Sequence, residues 1–183
     1  MFDPITPLGH ADPQTLTIGL FTIAERSDTA LASLATRRGR SDDITRAAAA
    51  NGVPLPDPGR YASETLSAFW LSPDMWMVEA PFASHEDIRA HLLAIFHDAA
   101  SITEQTDAWV RFDLTAANLP DLMERLCNVD LRAAADHAAT RTVIDHLGCY
   151  LIKRSATTIT LYGPRSSAET LLHALTVAAN SLT

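Results

Sequence analysis

The order of hydrophobic periods along this 183-residue chain limits its fold more than any other feature. Leu16–Ile23 alternates Leu16, Ile18 and Leu20 with threonine and glycine, the period of a half-buried strand. Asp28 then opens a helix-period segment whose Ala30, Leu31, Leu34 and Ala35 share one face, with Gly39 placed to stop it. A short second helix is expected over Asp42–Ala50, closed by Asn51-Gly52. The proline-dense Val53–Gly59 suits neither a helix nor a central strand and is expected to be an extended loop. Leu66–Leu71 and Met75–Glu79 read as strands joined at Ser72-Pro73-Asp74. Ser84–Asp87 resembles a capping box, and Ile88, Leu92, Ile95, Phe96 and Ala99 behind it form a helical stripe.

The second half repeats the order. Trp109–Leu114 puts Val110, Phe112 and Leu114 on one face and Arg111 and Asp113 on the other. Leu119, Leu122, Met123 and Leu126 follow helical spacing, with Pro120 in the first turn. Thr142–His146 and Cys149–Arg154 pair around Leu147-Gly148, and Thr157–Tyr162 adds a strand. Ser166 and Glu169 make a second capping box, opening a helix that faces inward with Ala168, Leu171, Leu172, Leu175 and Ala179. Strand, helix, strand, strand, helix, occurring twice, predicts an α+β fold of two similar split βαβ (ferredoxin-like) lobes. A lobe of about 85 residues buries too little surface alone, so the two are expected to pack together. The expected divisions are an extended N-terminal arm over 1–14, a first lobe over 15–104 and a second over 105–183. The arm carries Phe2, Ile5 and Leu8 among Pro4, Pro7 and Pro13, so it should lie against the body or against another chain.

Composition narrows the function classes. Hydrophobic residues at 47% and charged residues at 20% allow a packed core. A net charge of −8 disfavours nucleic acid, because the 13 arginines and Lys153 are scattered. Arg37, Arg38 and Arg40 do cluster, but beside Asp42 and Asp43, as at a solvated helix end. MFDPITPLGH lacks a basic stretch followed by an apolar run, so no cleaved leader is expected. No stretch approaches the ~18 apolar residues of a membrane helix. Cys127 and Cys149 are too few for a disulfide framework and read as buried thiols in a reducing cytoplasm.

Catalytic signatures are missing. The seven glycines never approach a dinucleotide-binding or P-loop pattern, and there is no nucleophile elbow. The seven histidines are dispersed, with no pair at metal-ligand spacing on a helix. Asp145 and His146, adjacent on an expected strand, would point to opposite sides and form no dyad. Paired carboxylates at Asp42-Asp43 and Glu86-Asp87 fall in first helical turns, where the helix dipole accounts for them. Trp70, Trp76 and Trp109 are either core aromatics or anchors at a subunit interface.

Longer phrases carry a resemblance. TDAWVRFDLTAANLPDLMERLCNVDL (106–131), AATRTVIDHLGCYLIKR (138–154) and LYGPRSSAETLLHAL (161–175), with FWLSPDMWMVEAP (69–81) and VPLPDPGRY (53–61), resemble the gamma-subunit family of heterotetrameric sarcosine oxidase. That family is related in fold to the folate-binding aminomethyltransferase of the glycine cleavage system. The resemblance implies a non-catalytic gamma subunit, docked mainly on alpha and assembled with beta and delta, in a cytoplasmic complex that oxidatively demethylates sarcosine to glycine. It implies that FAD, FMN, NAD, zinc and tetrahydrofolate belong to the partner subunits and that this chain carries no cofactor. An N-methylglutamate dehydrogenase subunit, or a stand-alone folate-binding protein using Asp113 or Asp145, are the alternatives. The chain has Gly163-Pro164-Arg165-Ser166 where aminomethyltransferases carry an asparagine-led motif and catalytic aspartate. It has Leu147-Gly148-Cys149-Tyr150 where tRNA-modifying relatives carry lysine-glycine-cysteine. No catalytic, cofactor-binding or metal-binding residue is therefore assigned to this chain.

Overall fold

The computed structural model describes residues 5–183; the expected arm residues Phe2 and Pro4 lie outside the described residues. The protein has an α+β fold with two antiparallel sheets, one in each of two compact units. One unit is Asp28–Asp107; the other joins Ala108–Thr183 to the segment that precedes Asp28.

The inserted unit runs β3 (Thr29–Thr36), α1 (Ser41–Asn51), β4 (Tyr61–Ser63), β5 (Ser67–Ser72), β6 (Met75–Pro81), α2 (Ile88–Phe96) and β7 (Ala100–Glu104), after β1 (Thr15–Ile18) and β2 (Phe21–Arg26). Its sheet order is β4-β5-β6-β3-β7. The expected helix over Asp28–Gly39 is instead β3, an interior strand hydrogen-bonded to β6 and β7. Every residue from Ala30 to Leu34 is buried, so no polar face interrupts the apolar run. Such a run cannot be told from a helical stripe by periodicity. The small side chains of Ala30 and Ala32, with Leu34, lie in one core with Ile44 and Ala48 of α1 and Ile88, Leu92 and Phe96 of α2. α1 ends as expected, at Gly52 in the left-handed conformation, φ 63°. α2 is capped by Asp87, whose Oδ1 accepts the Ala90 N–H at 2.8 Å; Ser84, the expected cap, donates to the Pro81 carbonyl. Arg40 bridges Asp43 and Asp98, and the two carboxyls sit below their usual range because of its guanidinium.

The other unit has β8 (Trp109–Thr115), α3 (Leu119–Met123), β9 (Ala139–Ile144), β10 (Leu147–Ser155), β11 (Thr158–Pro164) and α4 (Ala168–Asn180). Its sheet order is β1-β2-β8-β11-β10-β9. The expected boundary at residue 15 places β2 in the first lobe; β2 instead pairs with β8, and its Phe21 and Ile23 are buried among Phe112, Leu114, Leu161, Leu171 and Leu175. The single strand expected over Leu16–Ile23 is a hairpin turning at Gly19-Leu20. The β9–β10 turn also moves, from Leu147-Gly148 to Asp145-His146. Both residues have positive φ, 47° and 66°, as a two-residue hairpin loop of this twist requires. Gly163 lets α4 approach β11, since a Cβ there would lie 2.5 Å from Leu171 Cδ2.

The two sheets share a pattern. Read from β7, one runs β7-β3-β6-β5-β4; read from β2, the other runs β2-β8-β11-β10-β9. In both, the strand that begins the repeat lies second and the strand that precedes the last helix lies third. The flanking strand follows the repeat in one unit and precedes it in the other.

From residue 5 on, the arm folds back on its own unit. Leu8 is a core residue there, and its N–H donates to Glu25 Oε1 at 3.0 Å. The Gln14 N–H donates to Glu25 Oε2, also at 3.0 Å, so the carboxylate of a buried glutamate anchors both ends of the turn.

Candidate functional site

The strand period that buries Val110, Phe112 and Leu114 sends Arg111 and Asp113 to the opposite face of the sheet. Register brings neighbours to them: Asp113 stands across from Thr160, Arg111 across from both Arg26 and Tyr162, and Thr160 across from Ile152. Arg111 donates Nε to Asp113 Oδ1 at 3.0 Å and Nη2 to Oδ2 at 2.8 Å, the paired geometry of a guanidinium on a carboxylate. The Thr160 hydroxyl donates to Oδ1 at 2.7 Å, and Arg154 Nε donates to that hydroxyl at 3.0 Å. Arg26 Nε lies 3.8 Å from Oδ2. Asp113, the carboxylate proposed from sequence for a folate-type site, is thus held by three hydrogen bonds and a further cation. Its lone pairs are spent on fixed donors, which suits an ion anchor and not a base that takes a proton from substrate. Asp113 therefore does not offer a folate the free carboxylate such a site would need.

Asp145, the other candidate, sits in the β9–β10 turn, remote in register from Asp113. It lines an open groove of about 580 Å³ with Arg125 and Val177, and His173 of α4 borders both this groove and a second of about 380 Å³ that contains Leu8, His10 and Glu169. Among the described residues no group of three or more His, Cys, Asp or Glu is placed to hold a metal. One histidine pair does meet: the rings of His85 and His91 are 4.8 Å apart, edge to face. Sequence reasoning missed it because His85 precedes α2, so the pair never shares a helical spacing. Partial burial, then the neighbouring His85, holds His91 below the usual histidine range.

Ser166 and Ser167 make no side-chain cap on α4; Arg165–Ser167 is instead a short 3-10 turn leading into the helix. Cys127 and Cys149 are free thiols beside one core, and burial pushes the Cys149 thiol up to about 11. The tryptophans are half-buried. Trp76 Nε1 donates to the Pro56 carbonyl at 2.9 Å, tying the proline loop to β6, and Trp109 meets Tyr150 edge-on at 5.3 Å.

No family model matches the chain, and no curated protein matches it either. Solved structures do. A chain of the heterotetrameric sarcosine oxidase from Corynebacterium sp. U-96, in complex with pyrrole 2-carboxylate, superimposes with a TM-score of 0.75 at 21% identity, over 88% of this chain and 84% of that one. The glycine cleavage system aminomethyltransferase T from Bartonella henselae follows with a TM-score of 0.63 at 12% identity, over 85% of this chain. The match takes in 48% of that enzyme, so this chain spans about half its length. The protein shares its fold with both.

Proposed function

We propose that this chain is a non-catalytic subunit of a multi-chain amine oxidoreductase of the sarcosine oxidase kind, corresponding to the gamma subunit. The observation that carries the reading is the likeness to one chain of the heterotetrameric oxidase, which takes in most of both chains. Asp113 supports it: this candidate carboxylate is paired with Arg111 and hydrogen-bonded by Thr160. The matched strand orders of the two sheets support reading both units as copies of one split βαβ (ferredoxin-like) unit. On this reading the alpha, beta and delta partners carry FAD, FMN, NAD, zinc and tetrahydrofolate, and the complex works in the cytoplasm. No helix among the described residues is long and apolar enough to cross a membrane.

The test is affinity purification of the tagged chain from its native cell. The expected result is stoichiometric recovery of a larger, flavin-bearing partner, with sarcosine oxidation in the complex and none in the isolated chain. Sarcosine oxidation by the chain alone would end the proposal. Heat released on titrating the isolated chain with tetrahydrofolate would move it to the aminomethyltransferase branch.

A further inference from the structure

We infer that His85 and His91 form a solvent-facing binding site for a divalent transition-metal ion of the copper, nickel and zinc group. The spacing is the first argument. Their ring centroids are 4.8 Å apart with planes at 89°. A metal taking one nitrogen from each ring at about 2.0–2.1 Å, with the two ligands at tetrahedral or square-planar angles, separates the centroids by roughly 4.5–5.2 Å. The edge-to-face contact would have to give way to rings turned about χ2, a broad torsion, so that a nitrogen of each faces the ion.

The second argument is the tautomer. Ser84 Oγ lies 3.3 Å from the Pro81 carbonyl oxygen, which can only accept. The same Oγ lies 2.9 Å from His85 Nδ1, and with the hydroxyl proton assigned to the carbonyl it accepts from Nδ1–H. With its proton on Nδ1, His85 presents Nε2 as a lone pair. An outer hydrogen bond of this kind is the one that metal-bound histidines carry on their other nitrogen.

Donor type selects the ion. The Asp87 carboxylate between the two histidines is engaged by the Ala90 N–H, and no third His, Cys, Asp or Glu joins the pair among the described residues. Two imidazoles without carboxylate or thiolate suit neither calcium nor magnesium, and water completes the shell of an exchangeable Cu²⁺, Ni²⁺ or Zn²⁺. Cu²⁺ binds tightest in this series. Because His85 precedes α2 and His91 lies within it, the ion would fasten the 82–84 turn to the helix.

The experiment is titration of the full chain with Cu²⁺ alone, followed by calorimetry, thermal melting and electron paramagnetic resonance. The expected result is one equivalent bound with a raised melting temperature and a two-nitrogen superhyperfine pattern. H85A and H91A should each weaken binding by tenfold or more, while H97A leaves it unchanged. Uptake by the H85A/H91A double variant equal to that of the wild type overturns the site. Should either variant fail to fold, substoichiometric Cu²⁺ on the wild-type chain decides by NMR. Selective broadening of the His85 and His91 ring signals supports the site, and its absence overturns it.

Discussion

Thr160 on β11 donates its hydroxyl proton to Oδ1 of Asp113 on β8 at 2.7 Å, and the Thr160 hydroxyl oxygen accepts from Arg154 Nε at 3.0 Å. A neutral hydroxyl thus relays between a carboxylate and a guanidinium on three adjacent strands. Thr160 is completely buried. Thr160→Val keeps the shape but removes one bond from each charged partner, and the expected cost is about 1–3 kcal/mol by denaturant unfolding. A midpoint unchanged from wild type would mean the cluster is held by Arg111 alone.

Phe112 has no exposed surface and stands in the middle of the core between β8 and α4. Phe112→Ala should lose about 3–5 kcal/mol, enough to leave a marginally stable unit largely unfolded near 25 °C. Circular dichroism against denaturant checks this. Near-native cooperative stability would place the strand face the other way round.

The helix caps divide into one that works and one that does not. Asp87→Ala removes the carboxylate that accepts the Ala90 N–H and should destabilise by about 1 kcal/mol. Ser166→Ala removes no cap and should stay within about 0.5 kcal/mol of wild type. Parallel denaturant midpoints for the two variants test the contrast.

The N-terminal arm contributes to its own unit. Leu8→Ala should cost about 2–5 kcal/mol, the range for emptying a buried leucine site. Glu25→Ala should cost more than an ordinary surface substitution, because it strands the Leu8 and Gln14 N–H groups. A truncation that removes residues 5–13 should lower the melting temperature before it affects any partner. An unchanged melting transition would show that the arm is dispensable to the unit.

Cys149 provides a pH dependence. Its thiol is raised from 9.0 to about 11, first by burial, then by the nearby Cys127. The folded state holds this proton more tightly than the unfolded chain does. Its contribution to stability is therefore complete below about pH 9 and is lost as pH rises through about 11. Iodoacetamide at pH 8 should modify Cys127 well before Cys149, as peptide mass mapping would show; equal rates would mean that the core opens readily.

Much of the fold was legible where one face of an element meets water. The alternation over Trp109–Leu114, the Gly52 stop of α1 and the inward stripe of α4 all read correctly because polar residues mark the outside. β3 was misread because it has no outside over Ala30–Leu34. The β1–β2 hairpin was hidden by exposed apolar residues, Leu16 and Leu20, which extend the alternation through the turn. The short edge strands β4 and β7 were missed altogether. Of the candidate carboxylates, Asp113 was found by its strand face, but its partners Thr160 and Arg154 lie more than 40 residues away and are joined to it only by sheet register. His85 and His91 meet through a turn that no helical period describes.

The position of β2 in the chain has a consequence for biosynthesis. Phe21 and Ile23 leave the ribosome roughly 85 residues before β8, against which they are buried. At about 5–20 residues per second, the emerging hairpin waits for about 4–17 s with those side chains uncovered. Asp28–Asp107 contains both the first and last strands of its own sheet and can close during that interval. Pulse-labelled nascent chains should therefore become protease-resistant over the middle of the sequence first, and over both ends together only after β8 and β11 have emerged. In that window a chaperone that recognises short apolar segments would find its target at the N-terminus.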